Sequence, residues 1–454
     1  MAPRCSHHPL KYGTSNRFNP TILHDPRRMM VRVTDLSTLP TFDDISAASS
    51  RIADGIFHTP CFEAPALSER CGCTVFTKDE HLQRTGSFKE RGARNALLLL
   101  SQDAKQRGAV AASAGNHALA LAHHGRELGI PITVCMPIHA PLVKQRRCEL
   151  LGAKVLRCGE HILEARQTAD ALAAKDGLSY INGFDDPAVI AGQGTIGLEV
   201  LSQVPRLDAV VVPVGGGGLL AGIALAIKTQ QPEVQVIGVE PVRAASLQAA
   251  QQAGAPVSSD MQATLADGLA VPKVGDHAFH LIQKHVDQVV QVDEEAIAMS
   301  IFRLAEDTKA VVEGAGATGL AALLDDRLPE LRGKRVVVPL CGGNIDPGML
   351  GRVMDLGLVH DGRLVRFHAF IGDRPGGLSQ LTNVIAEQGA SVQQITHDRA
   401  FGITDFASVL VECTVETRDA AHRDEVLQAL AREGMETRVL EAIRPQAVPA
   451  GIGR

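Results

Sequence analysis

Residues 209–227 read Ala-Val-Val-Val-Pro-Val-Gly-Gly-Gly-Gly-Leu-Leu-Ala-Gly-Ile-Ala-Leu-Ala-Ile. Nineteen residues without a charge are long enough to span a bilayer. Pro213 and the run Gly215, Gly216, Gly217, Gly218 instead cut the segment into a β-rich piece and an Ala/Leu-rich helix. Strand, loop, helix is the reading, and a membrane partner is excluded. Four glycines remove every Cβ from the loop, so consecutive amides and the following helix terminus can wrap a phosphate. A dinucleotide site competes: Gly216, Gly218 and Ala221 fit G-x-G-x-x-A, and Glu240 ends the next strand 24 residues after Gly216.

Outward from this stretch, residues 40–350 alternate short β-rich runs with longer Ala/Leu helices. Ile132–Met136, Ala209–Val214, Val234–Val239 and Val336–Leu340 read as buried parallel strands of an α/β fold. Residues 352–364 read as a charged, glycine-containing connection. Beyond it the pattern changes. Val365, Phe367, Ala369 and Ile371 alternate with Arg366, His368 and Phe370, as in a half-buried strand. A turn at 373–377, a helix ending at Gly389, strands near 391–397 and 405–414, a helix at 418–433 and a strand at 435–441 follow. The order βαββαβ predicts a ferredoxin-like second domain.

The chain has 454 residues, beyond the roughly 250–300 at which single cores stop growing, so two or three domains are expected. A net charge of −6 and an aromatic content of 3%, with no Trp, argue against nucleic-acid binding. Nine scattered cysteines without a CxxC pair point to free thiols and a cytoplasmic protein. Residues 1–33 hold six Lys/Arg against one Asp and no apolar period, which predicts a disordered extension over 1–35 or, as the alternative, a transit peptide.

Two further motifs carry chemistry. In Thr85-Gly-Ser-Phe-Lys89-Glu-Arg-Gly-Ala93 a lysine opens a helix between glycines. Desolvation and a cationic neighbour, Arg91, would lower its pKa towards a nucleophilic amine. In Ser113-Ala-Gly-Asn116-His117 small residues lead from the apolar run Ala109–Ala112 into a helix, offering amides to an anion. A cofactor bearing one phosphate and using an amine explains all three motifs, and pyridoxal 5'-phosphate is the obvious candidate. The dinucleotide reading leaves Lys89 and Asn116 without a purpose.

Together with Ala191-Gly-Gln-Gly-Thr195 and Cys341-Gly-Gly-Asn344, these motifs resemble the threonine dehydratases of the β-family (tryptophan-synthase-like) of pyridoxal-phosphate enzymes. The resemblance covers residues 40–355. The tail resembles an ACT domain, best at Arg374-Pro-Gly-Gly-Leu378 and His397-Asp-Arg399. The implied domains are a two-lobed catalytic domain at 36–355 and an ACT-like regulatory domain at 365–445.

The resemblance implies roles for matching residues. Lys89 carries the cofactor and is the base at Cα. Phe88 packs beside the cofactor, Asn116 bonds its phenolic oxygen, and Gly215, Gly216, Gly217, Gly218 and Leu219 hold its phosphate. Cys341 faces the pyridine nitrogen as a neutral thiol, a weak partner that favours elimination over transamination. Glu313 lies near the cofactor. Thr85, Ser113, Asn116 and His117 receive the substrate carboxylate. Glu240, Ala244 and Ser246, with carbonyls around Leu269 and Val271, imply a monovalent cation, potassium. Ala114 replaces the second serine of related serine racemases and cannot deliver a proton. Gly376, Gly377 and Leu378 mark an amino-acid effector site, against the plainer reading of a dimerisation module.

The expected activity is dehydration and deamination of L-threonine to 2-oxobutyrate and ammonia, with L-serine secondary, in a homo-oligomer (dimer or tetramer). The alternatives are a serine or 3-hydroxyaspartate dehydratase or racemase, a dinucleotide-dependent oxidoreductase and a non-catalytic amino-acid sensor. The bland readings are kept elsewhere. His7-His8 and His123-His124 lack further donors at metal-ligand spacing. Cys71 and Cys73 are structural, Leu97–Leu100 is helix core, and the charge at 418–434 is a solvated face.

Overall fold

The computed structural model describes residues 39–397 and 408–440. The N-terminal extension with His7-His8, the Asp398-Arg399 part of the tail motif, the start of the strand expected at 405 and the end of the one expected to reach 441 lie outside the described residues.

Three sheets organise the chain. The largest takes β1 (Cys61–Glu63), β2 (Thr74–Lys78), β7 (Ala209–Pro213), β8 (Gln235–Pro241), β9 (Gln288–Val292) and β10 (Arg335–Pro339), in the order β1-β2-β10-β7-β8-β9. Every pairing in it is parallel except β1 with β2. A second, all-parallel sheet orders β5 (Lys154–Arg157), β4 (Ile132–Met136), β3 (Ala109–Ala112) and β6 (Ser179–Tyr180). These two sheets are the cores of two lobes. Strands β7 and β10 run Val-Val-Val into proline and are buried on both faces, as helices on either side of a parallel sheet require.

The third sheet is antiparallel, in the order β12 (Ser391–His397), β13 (Ser408–Glu416), β11 (Leu364–Gly372), β14 (Glu436–Val439). With helices Gly377–Glu387 and Ala420–Arg432 it has the ferredoxin-like order. Val365, Phe367, Ala369 and Ile371 face its core, as their alternation predicts.

The connection expected at 352–364 is instead mostly helix, Pro347–His360. Asp346 caps it by accepting the Gly348 and Met349 amides, with Pro347 in the first turn. Gly357, inside the segment read from sequence as a connection, is the place where Phe302 packs: a Cβ there would come within 2.2 Å of the ring. Arg303 and Arg363 then tie the end of this helix and the start of β11 to Asp361 and Glu306. The Leu97–Leu100 run is also only partly core, since Leu97 is buried while Leu99 is 52% exposed.

One helix crossing fixes the position of Lys89. Helices Lys89–Leu99 and Pro187–Gln203 meet at Gly92 and Gly192, and a Cβ on Gly192 would lie 2.6 Å from the Gly92 Cα. Beside that crossing Arg91 is 1% exposed and bonds Glu80 (2.7 and 2.8 Å) and Glu199 (2.6 and 2.9 Å). Lys78 joins Glu199 at 2.5 Å.

Candidate active site

Between the two lobes five segments converge on Lys89. The turn before it, stitched by Gly86 in the left-handed region (φ +82°), leads through Ser87 and Phe88 into the helix. Phe88 N–H donates to the Cys341 carbonyl at 3.0 Å, Ser87 bridges to Gly342, and Gly343 N–H reaches the Gly86 carbonyl at 2.9 Å. The Lys89 Nζ donates to the Gly183 carbonyl at 2.7 Å and sits 5.0 Å from the Phe88 ring centroid. Burial pulls its pKa down to about 8, against the opposing pull of Cys341 and Glu313.

Arg91, expected to lower this pKa, does not act on it. Its guanidinium is turned away onto Glu80 and Glu199. Desolvation, the other expected cause, lowers it alone.

Asn116 opens helix Asn116–Leu128 and is bonded on both sides: its Nδ2 donates to Glu313 Oε1 at 2.6 Å, and its Oδ1 accepts from Asn344 Nδ2 at 2.9 Å. Asn344 Nδ2 also bonds the Thr85 carbonyl at 2.8 Å. Burial and Asp267 raise the Glu313 pKa to about 7. His117 donates through Nε2 to the Ile181 carbonyl (3.1 Å), and burial beside Lys89 lowers its pKa to about 3, so its ring is neutral. Ser113 Oγ accepts the Gly115 amide at 3.2 Å. Cys341 is buried, its Sγ donates to the Pro339 carbonyl at 3.3 Å, and burial raises its pKa well above the usual thiol range.

The glycine loop is shaped by packing as well as by any ligand. A Cβ at Gly216 would strike the Phe184 ring at 2.2 Å, one at Gly218 the Phe184 carbonyl at 2.2 Å, and one at Gly215 the Leu269 Cα at 3.0 Å. Gly217 has φ +90°, which favours glycine, and caps helix Gly218–Gln230. The first amides of that helix, Leu219 among them, have no acceptor within it and form an anion-binding terminus. Phe184 and Gly183, which join this loop to Lys89, were not legible as site residues. Their signal is the Asn182 turn, whose Oδ1 accepts the Phe184 and Asp185 amides at 3.1 Å each.

Glu240 closes the dinucleotide reading. Its carboxylate is buried and accepts the Leu247 and Gln248 amides at 2.7 and 3.0 Å, turned onto helix Ser246–Ala253. Burial raises its pKa to about 7. Ala244 is buried beside it, and the buried Ser246 Oγ has no hydrogen-bond partner. Gly376 (φ +96°), Gly377 and Leu378 lie apart, at the start of helix Gly377–Glu387 in the antiparallel sheet's unit.

The residues between the lobes fit pyridoxal phosphate. An amine with lowered pKa, a glycine loop at a helix terminus and the buried, unbonded Thr85 Oγ1, Ser87 Oγ and His117 Nδ1 belong to the segments gathered around Lys89. Residues 52–342 match the family model described as pyridoxal-phosphate dependent enzyme. The chain belongs to that family. As a pyridoxal-phosphate dependent enzyme it is 42% identical over 400 residues to an L-threonine ammonia-lyase of Thermotoga maritima, covering 88% of this chain and 99% of that one. It is 38% identical to an L-threo-3-hydroxyaspartate ammonia-lyase of Saccharomyces cerevisiae, over 68% of this chain and 94% of that one. Among solved structures, the processed threonine deaminase isoform 2 of Solanum lycopersicum matches with a TM-score of 0.67 and 36% identity, over 70% of this chain and 91% of that one.

Proposed function

We propose that this enzyme is a threonine ammonia-lyase that converts L-threonine to 2-oxobutyrate and ammonia, with L-serine as a secondary substrate. The observation that carries the reading is the Lys89 amine: it is desolvated to a pKa of about 8, and the Asn116–Glu313 pair and the neutral Cys341 thiol lie close enough to act on it.

Bound pyridoxal phosphate would supply an electron sink for the bond broken at the substrate Cα. The residues that would hold it are Lys89, Phe88 and Asn116, Glu313 and Cys341, and the Gly215–Leu219 amides. Lys89, neutral in a useful fraction near pH 8, takes the Cα proton. The Thr85, Ser113, Asn116 and His117 segment orients the substrate carboxylate. Cys341 stays protonated and uncharged, which would leave the electron sink weak and favour loss of the β-hydroxyl, which departs as water on gaining one proton, balancing the one Lys89 has taken. The enamine so formed hydrolyses after release. Ala114 offers no proton to the opposite face of Cα, which disfavours racemisation.

The same reading takes residues 36–355 as the catalytic domain and 365–445 as an ACT-like regulatory domain with an effector at Gly376, Gly377 and Leu378. The ferredoxin-like strand order supports it. The buried, unpartnered Ser246 hydroxyl beside Glu240 and Ala244 supports a potassium ion there. No helix among the described residues is long and apolar enough to cross a membrane.

The test is an absorbance spectrum of the purified protein before and after L-threonine, with 2-oxo acid measured alongside. A visible cofactor band that shifts as 2-oxobutyrate accumulates is expected. A protein that stays colourless and inert after incubation with pyridoxal phosphate would sink the reading.

A further inference from the structure

Three buried polar atoms with no part in the reaction lie together in the lobe built on β3–β6. Glu90 Oε2, His123 Nε2 and His124 Nε2 each lack a hydrogen-bond partner, on residues that are 0%, 7% and 0% exposed. Ligand atoms from the three residues all fall within 4.8 Å of one another, with His124 Nε2 3.4 Å from Glu90 Oε2. Among the described residues no other group of three His, Cys, Asp or Glu side chains is drawn so close. The paired histidines show no third donor along the sequence. The fold brings it from helix Lys89–Leu99, which packs on helix Asn116–Leu128.

We propose that Glu90, His123 and His124 bind one transition-metal ion of the zinc class. Two imidazoles and one carboxylate are a recurring three-ligand zinc set, which leaves a further position to water. Imidazole donors favour zinc and its neighbours over magnesium or calcium, which take oxygen. These buried atoms make only long contacts in the absence of metal, His124 Nε2 at 3.4 Å from Glu90 Oε2 and His123 Nε2 at 3.5 Å from Glu127 Oε1, and a cation between them satisfies them better.

The surrounding charges support the site. Glu127 Oε2 lies 3.4 Å from His124 Nδ1, and its Oε1 lies 3.5 Å from His123 Nε2. Arg94 Nη1 sits 3.3 Å from His124 Nδ1 and 3.1 Å from Glu127 Oε2, while its Nη2 bonds Asp54 at 2.9 Å. Arg126 acts on His123 from its own helix. Three carboxylates thus face two guanidiniums. Without metal, Arg94 donates to His124 Nδ1 and holds the ring proton on Nε2. Metal binding takes the Nε2 lone pair and moves that proton to Nδ1, where Glu127 Oε2 accepts it while Arg94 gives up its contact with Nδ1 and keeps its bond to Glu127; no proton is lost. Such a carboxylate behind a ligating imidazole fixes its tautomer and orientation.

The site also reaches the catalytic lysine. Glu90 Oε1 accepts the Thr85 backbone N–H, so a metal on Oε2 would clamp the carboxylate that holds the turn before Lys89. Glu90 is in this sense a positioning residue.

The test uses the full-length protein carrying its cofactor. After dialysis against a chelator it is given zinc, desalted and counted by elemental mass spectrometry, and its zinc X-ray absorption spectrum is recorded. About one zinc per chain is expected, with nitrogen and oxygen neighbours, imidazole scattering and no sulfur at about 2.3 Å. The double variant His123→Gln, His124→Gln should lose at least about a hundredfold in zinc affinity. A wild-type protein that retains no zinc, or holds it through sulfur, overturns the proposal. Should the variant fail to fold, the wild-type spectrum alone decides.

Discussion

The Lys89 amine donates to the Gly183 carbonyl across 2.7 Å, joining residues 94 positions apart in the chain. That carbonyl begins the segment whose next residue, Phe184, supports the glycine loop. The amine and the phosphate cradle are therefore held by one short stretch of backbone.

Lys89→Ala should lower turnover of L-threonine by at least about 10²–10⁴-fold, the usual contribution of a general base. The folded state should be retained, since the amine makes one hydrogen bond to protein. Steady-state 2-oxobutyrate formation and circular dichroism check both halves. Normal turnover in this variant would refute the assignment of Lys89.

The pH profile follows from the same residue. A lysine pKa of about 8, lowered from 10.5, means the neutral amine is the minor form below pH 8. The rate should rise with pH and level off above about 8. A rate that falls between pH 7 and 8.5 would show that another group controls the base step.

Arg91→Leu should destabilise the enzyme by about 3–5 kcal/mol, because it strands the Glu80 carboxylate, which is fully buried. Arginine and Lys78 depress the Glu80 pKa below its ordinary value of 4.5. The sign follows from a lowered folded-state pKa: the stabilisation is present above the unfolded value and is lost as pH falls through the folded one. Urea unfolding should show the wild-type advantage intact at pH 7 and shrinking below about 4.5. Equal unfolding midpoints at pH 7 would contradict this.

Gly216→Ala should weaken cofactor retention and cost about 1–3 kcal/mol, since the new methyl meets the Phe184 ring at 2.2 Å. Pairing it with Phe184→Leu should recover part of the stability. Cofactor retained after desalting and thermal unfolding of both variants give the readout. Recovery of neither would locate the cost in the ligand and not in Phe184.

Much of this fold and site is legible in the sequence. Runs such as Ile132–Met136 and the alternation at 365–371 announce their strands because period and β-branched content agree with burial. The motif residues are readable because helix starts and glycine loops are local features. The helix at 347–360 was hidden by Gly357, whose lack of a side chain is a packing feature set by Phe302, 55 residues away. The direction of Arg91 and the meeting of Glu90 with His123 and His124 were equally hidden, since partners distant in sequence decide them. Periodicity carries no such information.

At Gly92 and Gly192 two helices touch backbone to backbone, and the absence of two methyl groups sets where the reactive lysine stands. Substitution at either position would push the helix bearing Lys89 bodily outward, so the aim of the amine is closed to gradual change. Descendants of this sequence that acquire new substrates will therefore do so through the turns lining the cleft, while the crossing is inherited unaltered. A mutational library should show the same division: no active variants at 92 and 192, and altered substrate preference from the segments around Thr85 and Ser113.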